Sequence, residues 1–397
     1  MTYLYNPLRS LKEGHWFKLI CGASFQHLPA VRSLTLAYAL AGADCIDVAA
    51  DPAVISAAQA ALAVAKNLTA DAQTRGFGYQ GNSPFLMVSL NDGEDPHFRK
   101  AEFNSTQCPS DCLRPCERIC PTQAIVFQRA RDNFSGVASE SCYGCGRCIP
   151  ICPFEIIHTR SYMSTPAAIA PLVLSAGIDA VEIHTKVGRL TEFERLWQAI
   201  SPWVDKLKVL AISCPDGEGL IDYLRNLYDL ISPLPCALIW QTDGRPMSGD
   251  IGDGTTNSAV KLGQKVLTAK LPGYVQLAGG TNSYTVAKLQ AMGLLTRDWG
   301  QATGDWVSNT QSLIPNSQSY ISGVAYGSYA RVLLLRVLEQ LEKMEVRKSN
   351  VINHINLEEK SDLLWQAVEL AHSLVSPLKS PHMRSKSAIR YPDKTSL

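Results

Sequence analysis

The chain has 397 residues, with 37 Lys and Arg against 36 Asp and Glu, so its formal charge of +1 gives no bulk field to draw it onto nucleic acid or an anionic membrane. A hydrophobic fraction of 46% with 18% charged residues excludes general disorder, and the length suits a large α/β barrel with an attachment. No apolar run approaches the ~18 residues of a membrane span, and the start MTYLYNPLRSLKEGHWFK lacks an export signal's basic-then-apolar pattern, so a cytoplasmic chain is expected.

Short β-branched or apolar runs alternate with amphipathic stretches, the βαβα pattern of a parallel sheet. The first predicted strand is 17–23 (FKLICGA), followed by a helix over 28–41. Strand 45–49 (CIDVA) precedes an Ala-rich helix over 51–66, with Asp51 as N-cap and Pro52 in the first helical position. Strand three is 85–90, and strand four, 180–184, comes only after a cysteine-rich segment and a helix over 166–176. Strands at 208–213, 237–241, 274–278 and 321–325 follow, with helices near 192–200, 220–230, 258–267 and 284–292 between them. The strands span roughly 310 residues including an insertion of about 65, which leaves the ~250 of a (β/α)8 barrel. A doubly wound open parallel sheet fits the same pattern, because periodicity does not report closure. The last barrel helix is expected over 328–346. A further helix over 357–374 starts after Asn356 and ends before Ser376-Pro377; its apolar stripe packs on the barrel or meets a partner. The expected division is 1–96 and 164–347 for the two parts of the barrel, 97–163 for the insertion, 348–376 for the C-terminal helix and 377–397 for a disordered tail.

Of twelve cysteines, eight fall between Cys108 and Cys152. They read Cys108-x3-Cys112-x3-Cys116-x3-Cys120-Pro121, then Cys142-x2-Cys145-x2-Cys148-x3-Cys152-Pro153. The second spacing is that of bacterial two-cluster ferredoxins, where three close thiolates wrap one cubane and the fourth, before Pro, reaches the other. By that logic Cys108, Cys112, Cys116 and Cys152 hold one [4Fe-4S] cluster, and Cys142, Cys145, Cys148 and Cys120 hold the second. An internal repeat supports the pairing, since CPTQAIVF at 120 aligns with CPFEIIHT at 152. The first group has x3 where the standard pattern has x2 at its first two gaps, which lengthens its loops. Paired four-thiolate zinc sites are the alternative, although those commonly join CxxC units set far apart. Cys21, Cys45, Cys214 and Cys236 sit in or beside apolar strands and read as small buried hydrophobes. In a barrel the insertion is a βα loop, so the clusters would hang over the C-terminal mouth.

Gly279, Gly280 and Thr281 after strand seven, with Gly327 and Ser328 after strand eight, lie where barrels bind FMN or another phosphate-bearing ligand. Ordinary turn chemistry places glycines in the same positions. The long loop after strand six contributes Asp243 and Arg245 as further cofactor-binding candidates, and with Glu182 and His184 these form either an acid/base group or structural contacts. No catalytic residue is assigned, because no GxxxxGKT, nucleophile elbow or HExxH is present.

Together, FKLICGASFQHLPAV, CPSDCLRPCERICPTQAI, CYGCGRCIPICP and WQTDGRPMSGDIGDGTT resemble the light-dependent period family of cyanobacteria, over all but the C-terminal tail. The resemblance implies an iron-sulfur protein that reports light-dependent redox state to the circadian clock, with clock-associated kinases and clock components as partners. Three roles stay open: a non-enzymatic redox sensor or electron-transfer protein, a flavin- or substrate-binding oxidoreductase fed by the clusters, and a subunit docking on a photosynthetic or respiratory complex. The quinone pool, ferredoxin or a thylakoid complex would serve as electron carrier, the last with peripheral attachment to the thylakoid membrane. Nucleic acid is not an expected partner.

Overall fold

The computed structural model describes residues 7–79, 81–94, 98–120, 122–130, 132–142, 144, 146–161, 166–245, 255–295, 314–344, 347–348, 351–352 and 355–379. Helix α1 (Pro7–Glu13) leads into β1 (Trp16–Ile20), α2 (Leu28–Leu40), β2 (Cys45–Ala49), α3 (Pro52–Asn67), α4 (Thr69–Thr74) and β3 (Phe85–Asn91). The insertion then holds β4 (Arg99–Glu102), α5 (Pro115–Ile119), β5 (Ile125–Val126), β6 (Gly136–Val137), α6 (Cys148–Ile151) and β7 (His158–Ser161). The chain returns through α7 (Pro166–Leu174), β8 (Ala180–His184), α8 (Leu190–Ile200), β9 (Val209–Pro215), α9 (Leu220–Ile231) and β10 (Ala237–Asp243). Then come α10 (Thr256–Thr268), β11 (Tyr274–Ala278), α11 (Thr285–Ala291), β12 (Gly323–Tyr326), α12 (Ser328–Lys343) and α13 (Ser361–Lys379).

Strands β1, β2, β3, β8, β9, β10, β11 and β12 close into one parallel barrel. Closure is made by β1, which pairs with β2 on one side (Leu19 opposite Ile46) and β12 on the other (Phe17 opposite Val324). This decides against the open sheet. Gly323 marks the seam, because a Cβ there would sit 2.4 Å from the carbonyl oxygen of Trp16.

Residues facing outward from the strands, such as Phe17, Leu19, Ile46, Val48, Val88, Ile183 and Ile212, join the helix ring in the main core. Helix α3 starts as expected, with the Asp51 carboxylate accepting from the N–H groups of Ala53 and Val54 and Pro52 just inside. A separate cluster of Leu11, Trp16, Cys45, Phe85, Met87, Val209, Ile239 and Tyr274 fills the N-terminal half of the barrel interior, plugged by α1.

The C-terminal helix packs back on the barrel through α2 and α12. A short 3-10 turn, Leu357–Glu359, with a capping box between Asn356 and Glu359, stands where the helix is expected to start, and α13 follows it from Ser361. The helix runs on to Lys379, past the expected stop at Pro377; Lys379 is held in place by Asp44 and Ser10. Trp365 stacks on Phe77 at 5.8 Å, and Arg75 lies over the Trp365 ring. The expected disordered tail from 380 onward lies outside the described residues.

Candidate functional site

The insertion leaves the barrel after β3 and re-enters before β8, so it stands on the C-terminal face. Its root is a two-stranded antiparallel ribbon of β4 and β7, with Arg99 opposite Ser161 and Glu102 opposite His158. Above the ribbon the two halves of the insertion repeat each other in backbone detail. Cys120 ends α5 and Cys152 ends α6, with closely matching extended geometry (φ −71, ψ 111 and φ −74, ψ 113). Three residues later Gln123 and Glu155 both adopt a left-handed conformation, at φ 51 and φ 52, and each N–H returns to the carbonyl of its cysteine. The repeat in the sequence is thus a repeat in the fold.

The cysteines converge in two groups. Cys108 lies within electrostatic reach of Cys112 and Cys152, and Cys116 within reach of Cys152 and Cys108. Burial, then these neighbouring thiolates, push the Cys108 and Cys116 thiols up. Cys120, Cys142 and Cys148 line one cavity with Ala101, Ile125 and Val137. Cys145 lies outside the described residues. Backbone N–H groups point at the sulfurs: Arg114 donates to Cys112 Sγ and Ala101 to Cys142 Sγ, both at 3.4 Å, and Ala124 donates to Cys120 Sγ at 3.2 Å. Mutually repelling thiolates fed by backbone donors fit a bound iron-sulfur cluster, whose irons would hold the thiolates deprotonated. Cys108 and Cys112 are partly exposed, whereas Cys142 and Cys148 are buried, in keeping with the longer loops of the first group.

The remaining cysteines behave differently. Burial pushes the Cys21 and Cys236 thiols up to about 12 and raises Cys45 and Cys214 as well, so these four are inert core residues, as expected.

Several contacts fasten the insertion over the barrel. Phe98 meets the His184 ring edge-on, with centroids 5.3 Å apart. Lys100 Nζ donates to the Ser139 carbonyl and to Gln26 Oε1, and the Gln26 N–H donates to the Glu140 carbonyl. Gln123 reaches Glu339 on α12.

Beneath Phe98 the C-terminal half of the barrel interior is polar. Lys18, fully buried on β1, is paired with Glu182 and lies 3.3 Å from Asp47 Oδ2. Glu182 Oε1 also meets His184 Nε2 at 2.8 Å and accepts from Gln241 Nε2 at 2.6 Å. A ladder of amides continues from there: Gln276 Nε2 donates to Gln241 Oε1 and Trp16 Nε1 donates to Gln276 Oε1, both at 2.6 Å. Ser89 donates to Asp47 Oδ1, and Ser213 to Asp243. Glu182 and His184 therefore face the barrel axis. Sequence reasoning placed these two near the mouth but missed Lys18, Asp47 and Gln276, each the one polar residue inside an otherwise apolar strand, and Gln241, the first of the polar residues that end β10.

The candidate phosphate loops are occupied by their own neighbours. A Cβ on Gly279 would lie 2.8 Å from the Arg245 backbone nitrogen, and one on Gly280 2.8 Å from the Thr255 carbonyl oxygen, so both glycines serve close loop contact. The Gly280 carbonyl accepts from Thr255 Oγ1, and Thr281 Oγ1 donates to the Ala325 carbonyl. Ser328 accepts from Arg331, whose other nitrogen donates to the Ile20 carbonyl across from Gly327. Asp243 belongs to the interior network rather than to a loop, and the rest of the long loop, 246–254, lies outside the described residues.

Among the described residues no helix is long and apolar enough to cross a membrane. The family model of the LdpA Fe-S cluster-binding domain matches residues 108–163, and that of the Light dependent period A C-terminal domain matches residues 172–377. Light dependent period A of Synechococcus elongatus is 48% identical over 373 residues, 94% of each chain. Two solved structures are a Legionella pneumophila tryptophan synthase alpha chain (TM-score 0.37, 11% identity, covering 96% of this chain and 100% of that one) and the (S)-3-O-geranylgeranylglyceryl phosphate synthase of Thermoplasma acidophilum (0.29, 11%, 96% and 99%). The identity and coverage of the Synechococcus relative and the two domain matches agree: the chain belongs to the light-dependent period A family and carries its iron-sulfur-binding domain.

Proposed function

We propose that the chain is a redox protein holding two [4Fe-4S] clusters, one on Cys108, Cys112, Cys116 and Cys152, the other on Cys120, Cys142, Cys145 and Cys148. The observation that carries this reading is that Cys152, from the far end of the insertion, lies within electrostatic reach of Cys108 and Cys116. That crossover is what two-cluster ferredoxins require. The clusters would exchange single electrons with a carrier. The resulting change of charge would alter how partners of the circadian clock, kinases included, meet the insertion, with typical coupling of about 1–3 kcal/mol. Leu113, Ile119, Ile151 and Phe154 are exposed apolar residues beside the cysteines and suit such a docking face.

The test is anaerobic purification with iron and sulfide analysis, then EPR during a potentiometric titration. About eight irons and two reducible low-potential signals are expected. Cys152→Ala should abolish the signal of the first cluster and Cys120→Ala that of the second. Zinc without an EPR signal would remove the redox reading, and loss of the opposite signals would reverse the crossover.

A further inference from the structure

Lys100 sits at the root of the insertion, on β4, between the second group of cysteines and the barrel rim. Its Nζ donates to the Ser139 carbonyl at 2.7 Å and to Gln26 Oε1 at 2.9 Å. Ser139 belongs to the turn that ends at Cys142, where the Ser141 and Cys142 N–H groups both return to the Ala138 carbonyl. The next residue on β4, Ala101, donates its N–H to Cys142 Sγ at 3.4 Å. Cys142, then Glu140 and Asp51, lie within electrostatic reach of the ammonium. Gln26 is on the barrel, in the loop after β1, and is itself held at both ends. Its backbone N–H donates to the Glu140 carbonyl at 3.1 Å, and its Nε2 donates to Asp51 Oδ2 at 3.1 Å. Asp51 is fixed in turn as the N-cap of α3.

Resting on the iron-sulfur reading, we propose that Lys100 is a positioning residue for electron transfer: its ammonium, aimed by Gln26 of the barrel, sets the potential of the second cluster and not of the first. A cluster on four thiolates carries a net negative charge. An electron from an external one-electron donor adds one more, and no bond to Lys100 forms or breaks. A fixed positive charge at the cluster's edge stabilises the reduced state more than the oxidised one, so it raises the potential. Lys100 ligates no iron and moves no proton; it acts through its charge.

The first group of cysteines has its own cation, fastened differently. Arg114 lies within electrostatic reach of Cys108, donates its backbone N–H to Cys112 Sγ and lays its guanidinium over the Phe127 ring at 4.0 Å. Those contacts stay inside the insertion, whereas Lys100 is shared between the insertion and the barrel. The barrel therefore acts on one cluster through Gln26, and the seating of the insertion on the barrel is felt by that cluster alone. Lys100 and Gln26 are both partly buried, so the ammonium is screened less than an exposed one. Arg160, opposite Lys100 on β7, is exposed and supplies the comparison.

The experiment uses the full-length holoprotein, purified anaerobically and titrated potentiometrically with EPR detection, with the two signals assigned through Cys152→Ala and Cys120→Ala. Lys100→Gln keeps a donor to Gln26 but removes the charge. It should weaken electron binding by the second cluster about tenfold, a fall of about 59 mV for a one-electron couple, with iron content and the first cluster's potential unchanged. Lys100→Arg should hold the second potential near its original value. Gln26→Leu leaves every cysteine and Lys100 in place and should lower the same potential by a smaller step, because the ammonium loses its aim and hydrates. An unchanged second potential in Lys100→Gln overturns the proposal. So does an equal fall of both potentials, or an equal fall in Arg160→Gln, either of which is an effect of bulk charge. If Lys100→Gln loses iron, Gln26→Leu decides, and an unchanged potential there overturns the proposal. Absence of any reducible signal in the unsubstituted protein overturns the iron-sulfur reading itself, a result readily told apart from an unmoved potential.

Discussion

Below the level of Lys18 the barrel is filled by Trp16, Cys45, Phe85, Val209, Ile239 and Tyr274; above it stand Asp47, Ser89, Glu182, His184, Gln241, Asp243 and Gln276. The same strands supply both halves, and only the height along the strand differs. The lower half is packed as barrels are usually packed, with close contact and no charge. The upper half buries ionised and amide groups that need partners; Glu182, Gln241 and Gln276 are hydrogen-bonded, whereas Asp47 Oδ2 has only its 3.3 Å approach to Lys18. Apolar packing is therefore concentrated in the lower half, whereas the upper half places charged and amide groups under the insertion.

Trp16 joins the halves, and its loss should have the largest effect. Its ring packs on Phe85 at a centroid distance of 6.0 Å, while Nε1 donates upward to Gln276. Trp16→Ala should cost about 4–5 kcal/mol, the upper part of the usual range, because it opens a cavity and also orphans an amide. Urea unfolding at neutral pH measures this. A loss under about 2 kcal/mol would mean that the halves are not mechanically joined.

Lys18→Met is next. It leaves Asp47 and Glu182 buried without a cation and should cost about 3–4 kcal/mol at neutral pH, with the penalty shrinking in acid as a carboxylate becomes protonated. The combined variant Lys18→Met, Asp47→Asn, Glu182→Gln should recover most of that loss. If it remains as unstable as the single variant, the charges hold the fold together and the division of labour between the halves fails.

His15 shows how the lower half treats charge. It lies at the foot of β1, and burial lowers its imidazole to about 4, against 6.5 for a free histidine. Between those values the unfolded chain binds the proton and the folded chain does not, so stability falls as pH drops from about 6.5 to about 4. The full loss is about 3 kcal/mol. His15→Phe should flatten that acid limb in a series of urea midpoints.

Much of this was legible in the sequence. Each barrel strand is a short apolar run, so the eight strands emerge from local composition, but closure depends on β1 meeting β12 from the other end of the chain, which no local pattern carries. That Cys152 comes within electrostatic reach of Cys108 and Cys116 was legible, because the spacing itself encodes geometry. The glycines at 279 and 280 carry less information for the opposite reason: a backbone that approaches a phosphate and one that approaches Arg245 or Thr255 need the same missing Cβ. The interior network left a signal that went unread. Lys18 in WFKLI, Asp47 in CIDVA and Gln276 in YVQLA are each the central residue of the strand. A polar residue at the centre of several short parallel strands marks a charged layer across the barrel.

The smallest effect on stability should come from the insertion's outer surface, which sharpens the contrast with both halves of the barrel. Leu113 is 83% exposed between Cys112 and Arg114 and contributes almost nothing to burial. Leu113→Ser should change unfolding by under about 0.5 kcal/mol. On the docking face proposed above, the same variant should slow electron exchange with a soluble one-electron carrier protein by about five- to tenfold, the scale of losing one central contact. EPR spectra and potentials should stay as they were, because the Leu113 side chain lies largely in solvent. Stopped-flow reduction at several carrier concentrations separates docking from transfer. An unchanged rate would move the docking face away from Leu113 and toward the second group of cysteines, where the thiols are buried and a partner would have to approach across the surface around Arg147.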